Sequence, residues 1–134
     1  MNNPAPGFTK YPAHRVVATQ SPRRVRALVG EVVIADSRAA LEVEESRHDP
    51  VWYFPPADVD LARLTPTEST TYCPFKGHAS YWTIEADGER LEDAAWAYPA
   101  PYDECRSLAG YIAFYPARVR LEVAAVAPSP QRPT

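Results

Sequence analysis

Eight consecutive residues, Thr70-Thr71-Tyr72-Cys73-Pro74-Phe75-Lys76-Gly77, place a thiol, an ammonium, a phenol and two hydroxyls in one short segment. Cys73 stands three residues before Lys76. A neighbouring ammonium stabilises a thiolate and lowers the thiol pKa, which equips a cysteine for acyl or redox chemistry as the attacking group. The competing use of such a cysteine is as a small buried apolar filler. Lys76-Gly77 also suits an anion clamp, because lysine offers a point charge and glycine allows close backbone approach. Arg38, after Asp36-Ser37, would add a forked second contact, or pair locally with Asp36 or Glu44. Thr70 and Thr71 offer hydroxyls to a ligand or to the turn itself.

Aromatic side chains are the second resource. Trp52, Tyr53, Tyr72, Tyr81, Trp82, Trp96, Tyr98 and Tyr115 exceed what a small core needs, and a buried tyrosine requires a polar partner. Strand alternation puts Tyr81 and Thr83 on one face and Trp82 and Ile84 on the other. One set then packs in the core, while the other walls a pocket beside Cys73 and Lys76, suited to a planar or sugar-like ligand. Glu42, Glu44, Glu45, Glu89, Glu92 and Asp93 read as strand-surface charges. His14, His48 and His78 have no metal-ligand spacing, so neither a metal nor a cofactor is expected.

Positioning these groups falls to strands, because the dominant period is two. Residues 24–35 read as a hairpin broken at Gly30-Glu31. Leu41 and Val43 alternate with Glu42 and Glu44, and Val51-Trp52-Tyr53-Phe54 is a short strand stopped by Pro55-Pro56. Asp58 to Leu64 reads as one or two helical turns with Val59, Leu61 and Leu64 inward. Residues 70–77 read as a loop opening the strand Ala79–Ala86. Asp87-Gly88 signals a tight turn into a partner strand from Glu89 through Trp96. Asp103 to Gly110 is helix-permissive with Cys105, Leu108 and Ala109 on one face. Strands follow at 111–115 and around Val119, Leu121 and Val123. Prolines punctuate both ends, predicting flexible tails at 1–22 and 126–134 around one domain at 23–125. Many short strands and little helix predict a mainly β sandwich, barrel or tent.

The 134 residues suffice for one domain. A net charge of −3 lacks the basic footprint of a nucleic-acid binder. Arg23-Arg24-Val25-Arg26 and Arg118-Val119-Arg120 alternate with apolar residues, as on the solvated face of a strand. No apolar run approaches the roughly 20 residues that cross a bilayer. Two cysteines, 73 and 105, form no disulfide framework, and the start lacks a signal-peptide pattern; the expected location is the cytoplasm.

Six segments carry a family resemblance: Ala35-Asp36-Ser37-Arg38-Ala39-Ala40, Trp52-Tyr53-Phe54-Pro55, Asp58-Val59, Thr71 through Gly77, Ala94-Ala95-Trp96-Ala97-Tyr98 and Ala113-Phe114-Tyr115. They resemble a bacterial and fungal family known as domain of unknown function 427. The resemblance implies a compact β-domain grouped with the Mss4-like β-tent folds. Mss4-like relatives often hold zinc through paired C-x-x-C knuckles, which this chain lacks. A nucleotidyltransferase label sometimes attached to the family finds neither paired metal-binding carboxylates after Gly-Ser nor a glycine-rich phosphate loop here. The reading is a small-molecule-binding β-domain for a nucleotide- or sugar-like anion, with Cys73 and Lys76 as candidate catalytic groups. Arg38, Tyr53, Thr71, Tyr72, Lys76, Tyr81, Trp96 and Tyr98 are its candidate ligand contacts. The second reading is an interaction module that uses exposed aromatics to bind a protein or a copy of itself.

Overall fold

A computed structural model describes residues 2–124, and within it ten strands form two antiparallel sheets. Strands β1 (Val16–Gln20), β4 (Leu41–Glu45), β5 (Val51–Phe54), β6 (Leu64–Cys73), β7 (Gly77–Ala86), β8 (Glu89–Ala97) and β9 (Ile112–Phe114) build a seven-stranded sheet in the order β1-β4-β5-β9-β8-β7-β6. Strands β2 (Val25–Val29), β3 (Val32–Ser37) and β10 (Arg120–Val123) form a three-stranded sheet in the order β10-β2-β3. One four-residue helix, α1 (Gly7–Lys10), and 3-10 segments at Pro56–Asp58, Leu61–Arg63 and Asp103–Leu108 complete the described chain. No helix among the described residues is long and apolar enough to cross a membrane.

Local chemistry accounts for the hairpins. Gly30 takes φ +57° between β2 and β3, a conformation that β-carbons disfavour, and the Asp87 carboxylate occupies the space a Gly30 side chain would need. Asp87 and Gly88 have φ of +53° and +74°, the paired positive angles of a tight turn whose twist matches its strands. The expected alternation also holds. Trp52 and Phe54 of β5 pack into one apolar cluster, and Tyr53 packs into the other. On β7 Trp82 and Ile84 join the first cluster while Tyr81 joins the second.

Both faces of the large sheet are therefore buried at its centre. The first cluster fills the space between the sheets, with Val25, Ala27 and Ile34 opposite Phe54, Ile84 and Phe114. The second, on the far face, gathers Leu41, Val43, Tyr53, Ala79, Tyr98 and Leu108 around Cys105. The expected division into one core set and one pocket set of aromatics gives way to two cores.

Three expectations need correcting. Segment 1–22 is not simply a tail: it contains α1 and β1, and β1 pairs with β4 from Val16↔Glu45 to Gln20↔Leu41. The predicted 126–134 tail lies outside the described residues. Residues 70–73 are not loop but the end of β6, paired with β7, so the connection shrinks to Pro74-Phe75-Lys76. Leu61 is 50% exposed and Ala109 is exposed, because the short 3-10 turns place only Val59, Leu64, Cys105 and Leu108 inward.

Candidate ligand site

Two bulges flank β7 and meet over it. On β6, Pro66 pairs with Trp82 and Thr70 with Ser80, so Thr67, Glu68 and Ser69 together oppose Tyr81. On β8, Ala95 pairs with Trp82 and Leu91 with Ile84, so Glu92, Asp93 and Ala94 oppose Thr83. Strict alternation would have put Asp93 on the core face with Leu91 and Ala95. The bulge turns the carboxylate out and Ala94 in, at the expense of a φ of +53° at Asp93. Asp93 then accepts hydrogen bonds from Thr67 Oγ1 and Ser69 Oγ, both at 2.7 Å, tying the two bulges across β7. Those two hydroxyls hold its carboxyl below the usual aspartate range, against a smaller opposing effect of burial.

Beside this clamp lies a cavity of about 590 Å³ lined by Ser69, Thr71, Tyr81, Asp93, Tyr115 and Arg118, among others. The Tyr81 and Thr71 hydroxyls lie 2.9 Å apart. Burial, then a hydrogen bond with Tyr81, pushes the Tyr115 phenol up to about 12. Trp96 packs on the Tyr115 ring at 4.5 Å and donates its indole N–H to the Tyr53 hydroxyl at 3.2 Å. The wall thus combines a carboxylate, a guanidinium, several hydroxyls and a half-exposed ring, and interlocked neighbours hold the rings in place.

Lys76 sits elsewhere. Only 7% exposed, it donates to Oε1 of Glu45, whose Oε2 is 2.8 Å from His14 Nε2. Glu45 belongs to the inward face of β4 with Leu41 and Val43, so the surface charge expected there is a half-buried ion pair. Desolvation pushes the Glu45 carboxyl up, but the bonds from Lys76 and His14 outweigh it and hold the group below the usual glutamate range. This contact also reports the shape of the sheet. From β4 to β7 is four strand steps, roughly 19 Å across a flat sheet at about 4.8 Å per step, so the sheet must curl strongly for the two side chains to meet.

The N-terminal segment is tied to that junction. Gly7 N–H donates to the Pro74 carbonyl at 3.0 Å, and the Phe8 and His14 rings pack on Phe75 at 4.9 and 3.9 Å. A β-carbon at Gly7 would lie 2.7 Å from the Phe75 ring and 2.9 Å from the Pro74 carbonyl oxygen. Gly7→Ala should therefore cost about 1–3 kcal/mol in urea denaturation and speed proteolytic cutting before β1. Unchanged stability and cleavage would show that this segment does not rest on the β6–β7 turn.

Of the candidates read from sequence, Thr71 and Tyr81 line the cavity, and Trp96 and Tyr53 support it from behind. Tyr98 is buried in the second cluster, where desolvation drives its phenol pKa far upward. Cys73 is partly buried against that same cluster, the position of an apolar filler, while Lys76 is committed to Glu45. Tyr72 is 49% exposed on the outside, its hydroxyl 2.7 Å from that of Tyr102. Arg38 lines a separate cavity with Arg24, Asp36 and Asp58. Of its two expected local partners, Asp36 and Glu44, Asp36 is instead held by Arg24 through two bonds of 2.9 and 2.6 Å. Sequence patterning leaves Asp93 and Arg118 among surface charges, Tyr115 among the surplus aromatics and Ser69 without a role. The signal available for Asp93 was a charged residue, poorly suited to strands, at a position whose parity matches the core.

No curated protein matches the chain. A family model described as a domain of unknown function (DUF427) matches residues 17–125, beginning inside β1 and spanning every later strand. With most of its length and all but the first residue of its strand framework covered, this chain belongs to the DUF427 family.

Proposed function

We propose that this chain is a small-molecule-binding β-domain, and that its ligand is a hydroxyl-rich anion of the sugar-acid or sugar-phosphate class. The observation carrying the reading is the Asp93 clamp and the cavity beside it. Each Asp93 oxygen keeps lone-pair capacity to accept from a ligand hydroxyl. Arg118 supplies a fork for an anionic group, and the Tyr115 ring supplies a flat apolar face for a sugar ring. Bulges concentrate where a sheet re-aims side chains, and the left-handed Asp93 is a residue held in a costly conformation beside a cavity. Two sheets leaning on a shared core support the β-tent grouping, and two unbridged thiols suit a reducing compartment such as the cytoplasm.

The test is thermal denaturation against a panel of sugar acids and sugar phosphates. A ligand at 100 times its Kd stabilises by about 2.7 kcal/mol, enough to raise Tm by several degrees. At least one compound should do so for the native chain. Arg118→Ala and Tyr81→Phe should abolish the shift while leaving the melting of the free protein close to native, and Arg38→Ala should keep it. A panel without effect, or a shift that survives Arg118→Ala and Tyr81→Phe, removes the cavity as the site.

A second reading has its own support. Tyr72, packed on His78 and edge-on to Tyr102, forms an exposed aromatic patch on the long edge strand β6. Such an edge presents unpaired backbone groups to another chain. If the domain self-associates there, Tyr72→Ser changes its elution volume.

A further inference from the structure

A third cavity, of about 650 Å³, opens between α1, the turn after β4 and the β6–β7 turn. Its wall includes Lys10, Tyr11, His14, Ser46, Arg47 and Phe75. We propose that this cavity is a binding site for an aromatic anion, a planar ring bearing a phosphate or carboxylate. The inference is independent of the groove over β7, with which the cavity shares no lining residue.

Charge points to an anion. Lys10 and Arg47 form no ion pair among the described residues, and no carboxylate lines the cavity. The nearest acid along β4, Glu45, is already bound by Lys76 and His14, and Glu44 faces the opposite side of the strand by alternation. An ionised Glu45 can only accept, so His14 Nε2 carries a proton and donates to it. That bond orients the imidazole and leaves Nδ1 free of that partner. The cavity wall therefore holds two cations, Lys10 and Arg47, with no compensating acid in its lining.

The rings supply shape. His14 lies on Phe75 with centroids 3.9 Å apart and planes 18° from parallel, while Tyr11 stands 6.4 Å from Phe75 at 51°. These three rings give the lining an aromatic surface on which a planar guest could pack. Arg47 sits at φ +68°, a left-handed conformation rarely adopted by a residue with a β-carbon. A strained residue at the mouth of a cavity, carrying an unpaired guanidinium, is the form a ligand clamp takes. The volume falls within the range of small-molecule sites.

Calorimetric titration of the full 134-residue chain with phenyl phosphate, phenol and inorganic phosphate tests this directly. Phenyl phosphate should bind at least about tenfold more tightly than either half-molecule, with affinity falling as salt rises. Lys10→Ala and Arg47→Gly should each weaken it about tenfold. Glycine tolerates the positive φ, so the second variant should melt no lower than the native chain. Arg90→Ala, paired with Glu85 at the opposite end of β7 and in the lining of neither groove, should leave the titration unchanged. Three outcomes overturn the proposal: no saturable binding of phenyl phosphate up to about 10 mM, equal affinity for all three probes, or binding indifferent to both Lys10→Ala and Arg47→Gly.

Discussion

Replacing Glu45 by glutamine should destabilise the domain by about 3 kcal/mol, because it leaves the Lys76 ammonium buried without its counter-charge. For a chain of this size that corresponds to a fall in Tm of roughly 10 °C. The companion variant Lys76→Met should cost less. It removes the desolvated charge and keeps an apolar stem, and Glu45 retains His14. Urea denaturation of both variants measures the asymmetry.

The same pair contributes to acid sensitivity. The Glu45 carboxyl in the folded chain is held below its ordinary value, so its contribution to stability is complete above the ordinary glutamate range. That contribution is lost as pH falls through the depressed folded value. Glu45→Gln should therefore flatten part of the stability loss below about pH 4. Asp36, Asp93 and Asp103 are shifted in the same direction by Arg24, by Ser69 with Thr67, and by Asn3 with Arg106, and they keep the remainder of the acid limb. If Glu45→Gln costs under about 1 kcal/mol with an unaltered acid limb, the Lys76–Glu45 pair does not hold the curled sheet together.

Truncating Phe54 to alanine should cost about 4 kcal/mol, with Phe114→Ala close behind. Both rings are essentially inaccessible and meet edge to face, 5.5 Å apart at 65°, in the cluster between the two sheets. Their loss leaves a cavity that neighbouring strands, anchored by their hydrogen-bonded ladders, cannot close. The double variant should cost less than the two single ones added, by about 1 kcal/mol, since the ring–ring contact is removed in each. Denaturant midpoints give the cycle. A cost below about 1.5 kcal/mol for Phe54→Ala would mean that the small sheet does not pack on the large one through these rings.

Strands were legible wherever the information was local. The hairpin from Val25 to Ser37, the Asp87-Gly88 turn and the β5 segment all declare themselves through period-two patterning and residues suited to positive φ. β1 was hidden because Val16–Gln20 lies between Pro12 and Pro22 and owes its order to β4, met twenty residues later. The end of β6 reads as loop in the sequence because its side chains are polar. An edge strand with one face in solvent has no need of apolar alternation and tolerates Pro66.

The sequence by itself determined a mainly β chain, its family, the alternation of aromatics between strand faces and the residue types available for chemistry. Only the tertiary structure decided which of them meet. Curling of the seven-stranded sheet brings Lys76 to Glu45 and His14, and two bulges turn Asp93 away from the core and toward Thr67 and Ser69. These contacts span 24 to 31 residues and depend on the sum of twists and register slips across several strands. No local pattern encodes that sum, because each strand pair contributes only a small rotation and the side chains meet only after all of them have formed.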